Sequence, residues 1–94
     1  MTACILTYSR QFSARCTALL ESYGYRIHGP PADICIVDTD RRDAVPETSG
    51  LLVVVSSNDE LARQLPGDAL FFLKPVDLEV MVDKIANADR LLPT

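Results

Sequence analysis

No basic run or stripe occurs in this chain of 94 residues, whose formal charge is −4. Nucleic acid and other polyanions therefore have no electrostatic footprint to meet. Long hydrophobic runs are missing as well. The longest are LLVVV (Leu51–Val55) and ALFFL (Ala69–Leu73), far short of the about 20 residues a membrane-spanning helix needs. No membrane contact is expected of this segment. The N-terminus lacks a basic segment followed by a long apolar stretch, so no secretory signal is read. CxxC spacing is absent too. Cys4, Cys16 and Cys35 form an odd set, each inside an apolar pattern, and are expected to be small buried hydrophobes in a reduced, cytoplasmic setting. GxGxxG, P-loop, HExxH and GxSxG motifs are missing, which leaves the enzyme classes they mark without support.

What is present is globular. Apolar residues make up 48% of the chain, and no internal repeat, linker or low-complexity stretch divides it, so a single domain over 1–94 is expected. Ala3–Tyr8 reads as a strand. Ser9 suits the N-cap of a helix over Gln11–Ser22, because Phe12, Cys16, Leu19, Leu20 and Tyr23 fall on one helical face. Gly24 suits the position just past its end. Tyr25–His28 reads as a short strand. Asp33–Asp38, Leu51–Ser57 and Ala69–Lys74 are stronger ones, apolar at consecutive rather than alternate positions, which indicates a parallel sheet buried on both faces. NDELARQLPG predicts a short helix capped by Asn58 or Ser57 and stopped at Pro66-Gly67. Asp77 caps a last helix to Arg90, with Leu78, Met81, Val82 and Ile85 facing inward.

The order β-α-β-β-β-α-β-α predicts an α/β, doubly wound sheet with helices after the first, fourth and fifth strands. Two links are short. Five residues, including Pro30-Pro31, separate His28 from Ile34, and five extended residues reach about 16 Å. That link must cross the sheet directly, with no helix. Between Asp40 and Gly50, Pro46 leaves room for one turn.

Three strand ends then carry chemistry. ICIVD ends in Asp38, VVVSS in Ser56 and Ser57, and FFLKPV in Lys74-Pro75. With the element order, these resemble the receiver domains of bacterial two-component signalling, whose flavodoxin-like parallel sheet runs in the order 2-1-3-4-5. The resemblance spans nearly the whole chain. It implies that Asp38 is the phosphoacceptor position, Ser56 (or Ser57) the switch hydroxyl, and Lys74 the contact to an acyl phosphate through a Lys-Pro bond that is usually cis. Such domains also occur inside hybrid histidine kinases, and this segment reads equally as free-standing or as part of one.

The departures are as informative. Receivers hold Mg²⁺ with an acidic pair just after the first strand, and here Tyr8 and Ser9 occupy those positions. A lone carboxylate is a poor magnesium site, and Asp40 is the one nearby residue that could partly rebuild a metal site with Asp38. The proline that follows the phosphoacceptor by four is Arg42, the second helix is absent and the third mostly absent. A degenerate, truncated receiver is expected, non-catalytic and without cofactor, in which Lys74 holds Asp38 as an ion pair. The alternative is a working phosphoacceptor that uses Mg²⁺. A small sugar-transport phosphotransfer subunit is a poorer match, because Tyr8 stands where its cysteine nucleophile belongs. His28 is expected at a surface turn, Arg41-Arg42-Asp43 in a solvated loop, and Phe71 and Phe72 in core packing.

The missing helices belong to one face of the sheet, where strand residues remain apolar. Each aliphatic side chain left wet forgoes about 1.5–3 kcal/mol, against about 5–15 kcal/mol for a whole small domain. Something must cover that face: the segment Asp59–Leu65, the proline-rich link, a second copy of the chain, or another domain. Docking there on a histidine kinase, response regulator or other signalling protein is the expected mode of action.

Overall fold

The computed structural model describes residues 1–29, 31–48 and 50–91. Five parallel strands, β1 (Thr2–Leu6), β2 (Arg26–Ile27), β3 (Ile34–Asp38), β4 (Leu51–Ser56) and β5 (Leu70–Leu73), form one sheet in the order β2-β1-β3-β4-β5. Helix α1 (Arg10–Ser22) follows β1 and α2 (Leu78–Leu91) follows β5. The β3–β4 connection carries a single 3₁₀ turn, Arg42–Ala44, and the β4–β5 connection a 3₁₀ helix, Asp59–Gln64. No helix occurs among the described residues between β2 and β3. The expected order and the two missing helices are therefore found. The expected helix after Asn58 is 3₁₀ rather than α, since only six residues separate the cap from Leu65 and Pro66.

Helix α1 starts where Ser9 Oγ accepts from the Phe12 N–H at 3.2 Å. It ends in a Schellman arrangement. The Tyr25 N–H donates to the Leu20 carbonyl and the Gly24 N–H to that of Glu21, while Gly24 takes φ +92°, which only glycine adopts cheaply. The turn returns Tyr25 to the core, 8% exposed, in the same apolar cluster as Leu20. At the start of α2, Asp77 Oδ1 accepts from the N–H groups of Glu79 and Val80.

Strand β2 is shorter than the sequence predicts, and this makes the short link possible. Ala3 of β1 is flanked by Ile27 on one side and Ile34 on the other. The chain therefore leaves β2 and enters β3 at one level and has only to step across β1, about 10 Å. A full-length β2 would have required a return along its length as well. Pro30 lies outside the described residues.

Alternate strand residues feed two cores. Ile34, Ile36, Val53 and Val55 meet Cys16 and Leu20 of α1 and Leu78, Met81, Val82 and Ile85 of α2. Cys35, Val37, Leu52 and Val54 face the other way. The cover that this second face was expected to need is supplied within the chain: Leu52 is 7% exposed and Val54 fully buried. Val45, just after the 3₁₀ turn, and Leu61 of the 3₁₀ helix roof it, with Ala32, Leu65 and Ala69 packed at the margins. The link and the 59–65 segment supply the cover, and no second copy is needed for it. Phe72 packs on the first core and Phe71 on the second. No helix among the described residues is long and apolar enough to cross a membrane.

Candidate functional site at the strand ends

Parallel pairing brings the C-termini of β1, β3, β4 and β5 to one rim. The β1–β3 register pairs Leu6 with Val37, so Thr7 and Asp38 follow side by side. Thr7 Oγ1 donates to Asp38 Oδ2 at 2.8 Å, and Lys74 Nζ meets Asp38 Oδ1 at 2.5 Å. The backbone fixes Lys74 for this contact, because its N–H donates to the Ser56 carbonyl at 2.8 Å. The Lys74-Pro75 peptide is cis. Asp38, Ser56, Lys74 and Pro75 thus belong to one end of the sheet.

Ser56 does not face Asp38. Its Oγ donates to Asp40 Oδ1 at 2.6 Å, and it is the buried polar residue of the rim. The Ser57 N–H donates to the same oxygen at 2.8 Å, while Ser57 Oγ lies 3.0 Å from both Asp40 oxygens. These donations, from Ser56 foremost and then from Ser57, hold the Asp40 carboxyl below the usual carboxylate range; the Lys74 ammonium adds to them. Asn58 closes the knot, its N–H donating to Ser56 Oγ and its side-chain amide to the Asp40 carbonyl.

A partial metal site of Asp38 and Asp40, the alternative the sequence left open, does not fit this geometry. Asp38 is engaged by Lys74 and Thr7, and Asp40 by two serines. Among the described residues, no group of three or more His, Cys, Asp or Glu side chains is placed to hold a metal ion. Tyr8, where an acidic residue would stand, is fully exposed, and Ser9 is occupied as a helix cap. The donor set is a poor match for Mg²⁺, which needs carboxylate oxygens free to replace its water.

The remaining candidates stand apart. His28 is exposed, its Nδ1 2.6 Å from the Gly29 carbonyl oxygen. Arg41 pairs with Asp43 at 2.7 Å in the open. Arg42 is not merely solvated, because its Nε donates to the Gln64 carbonyl and ties the 3₁₀ turn to the 3₁₀ helix. The three cysteines are free and buried. Burial pushes the Cys16 and Cys35 thiols up to about 11.

Thr7 was not apparent from the sequence as a site residue, although the β1–β3 register would have placed it beside Asp38. Asp40 was singled out only as a residue that could partly rebuild a metal site with Asp38, and its partnership with Ser56 was not expected. A hollow of about 340 Å³ opens beside Asp38, lined by Thr7, Tyr8, Thr39 and Ala44 among others. Compared with known proteins, the chain matches no protein-family model and no curated protein.

Proposed function

We propose that this chain is a receiver-like domain of the flavodoxin-like class that has given up phosphoryl transfer and acts by docking on a signalling protein. The observation that carries the reading is the Asp38–Lys74 ion pair at the ends of β3 and β5, where a receiver keeps its phosphoacceptor and lysine. Strand order supports it, as do the hydroxyl at the end of β4 and the Lys-Pro pair.

Loss of catalysis follows from charge. An acyl phosphate forms on a carboxylate only when nearby positive charge offsets the phosphoryl oxygens. Here one lysine faces Asp38, and no carboxylate pair stands at the end of β1 to recruit a cation. The partner class is a histidine kinase, a response regulator or another component of a two-component relay. The apolar face formed by the missing helices is roofed by the chain itself, so contact is better sought at the rim, where the ring of Tyr8 stands fully in solvent beside the Asp38 hollow.

Beryllofluoride with Mg²⁺ tests the reading. The amide resonances of Asp38, Ser56 and Lys74 should stay in place when both are added. Saturable shifts centred on Asp38 would instead select a working phosphoacceptor.

A further inference from the structure

We propose that Cys4 and Cys35 form a dithiol site for an uncharged trivalent arsenical, on the sheet face turned away from the two α-helices. Nothing in it depends on the receiver-like reading, because neither cysteine belongs to the rim.

Register makes the pair. Cys4 of β1 and Cys35 of β3 are direct partners in the parallel ladder, so their side chains leave the same face of strands about 4.8 Å apart. The two thiols share a hydrogen bond, and both are free. They belong to the second core, whereas Cys16 lies in the first without a thiol neighbour. Paired sulfurs favour a soft centre that accepts two bonds. Once the first bond forms, the second closes within the molecule, at a high effective concentration.

Space beside the pair is a separate observation. A cavity of about 380 Å³ is lined by both cysteines, with Leu6, Ala32 and Pro46 as apolar wall. A cavity of about 150 Å³ already takes benzene, so arsenic carrying a phenyl-sized group has room. Glu47 also lines the cavity and is exposed. Its carboxylate disfavours anions, which selects neutral arsenous species over phosphate-like arsenate.

The step balances without an oxidant or reductant. With phenylarsonous acid, the hydrated form of phenylarsine oxide, two As–S bonds form and two As–O bonds break. Each thiol proton leaves with a hydroxyl group as water, and arsenic stays trivalent. No thiolate is needed beforehand. An alkylating reagent does need one, and burial pushes the Cys35 thiol up to about 11. Near pH 8 only about one such thiol in a thousand is ionised. Silence toward alkylation and capture of an arsenical are therefore compatible.

The test is phenylarsine oxide added to the full, native chain, read by intact mass and amide spectra. One phenylarsenic per chain should be gained, with the native dispersion kept and shifts centred on Cys4 and Cys35. Cys4→Ala and Cys35→Ala should each lower the apparent affinity about a hundredfold or more, as loss of the second bond requires. Cys16→Ala should leave it unchanged, and a competing small dithiol should reverse the adduct where a monothiol does not. No adduct in arsenical excess, or equal affinity in Cys4→Ala and the wild type, would overturn the proposal. Should the alanine variants not fold, the wild-type amide map decides. Shifts centred on the two cysteines support the site, and shifts centred on Cys16 or a collapse of dispersion overturn it.

Discussion

Asp38 ends β3 and Lys74 follows β5, strands that are not neighbours, yet their side chains meet at 2.5 Å across the end of β4. The bridge spans three strands, with β4 held beneath it by the Lys74 N–H to the Ser56 carbonyl. Its acidic side chain is 12% exposed and its basic one 39%, so it lies between a surface pair and a buried one. Lys74→Met should destabilise the fold by about 1–2 kcal/mol, more than an exposed pair is worth and less than a fully buried one. Asp38→Asn combined with it should recover part of the loss. Urea unfolding of the four-member cycle checks this, and additive effects would show that the two side chains do not interact.

Acid should weaken the fold in a defined window. Asp33 is lowered by the Thr2 N–H and hydroxyl, and Asp40 by Ser56 and Ser57. A carboxyl lowered in the folded state stabilises fully above its unfolded value, about 3.9, and that contribution disappears as pH falls through the folded value. The urea midpoint should be level above about pH 5 and decline below it. Asp33→Asn and Asp40→Asn should each flatten the decline. An acid limb unchanged in both variants would refute the assignment.

Two glycines should resist substitution for different reasons. A methyl group on Gly50 would lie 2.2 Å from the Asp33 carbonyl oxygen, the group that accepts from the Leu51 N–H. Gly50→Ala should cost about 1–3 kcal/mol through displacement of the β3–β4 entry. Gly24 has open space around it but φ +92°, so Gly24→Ala should cost about 1–2 kcal/mol in backbone strain alone. Gly67→Ala, with neither constraint, serves as the control in thermal melts.

The thiols should be silent in the native state. Cys16 is fully buried, and Cys4 and Cys35 nearly so, with all three raised by burial. Because the thiolate is the reactive form, iodoacetamide near pH 8 should modify none of them within the time that labels all three in urea. Intact mass reads the count, and fast native labelling at Cys35 would contradict the packing described.

Consecutive apolar residues announced the sheet. Ile34–Val37 and Leu51–Val55, apolar at consecutive positions, pointed to strands buried on both faces, as parallel sheets are, and Ser9, Gly24 and Asp77 marked helix ends through side-chain and backbone chemistry that acts locally. Asp38 and Lys74 could be brought together because the family resemblance supplied the strand order. The serine–aspartate knot was hidden, since Asp40 reaches Ser56 from a loop whose path no periodicity encodes. The roof over the second face was legible only as a choice of covering segments, Asp59–Leu65 and the proline-rich link among them, and the part played by Val45 was not foreseen. Val45 and Leu61 are the lone large aliphatic residues of their turns, and a single buried side chain leaves no periodicity.

That roof has a dynamic consequence. One face of the sheet is sealed by two continuous helices, the other by a few side chains on short 3₁₀ segments, pinned to each other by Arg42 and Gln64. Opening the thinner seal requires no helix to melt, so it should occur as a local fluctuation well below the energy of global unfolding. Amides of the 42–45 and 59–65 segments should then exchange with solvent long before those of α1 and the centre of β4, making the domain a rigid half joined to a breathing one.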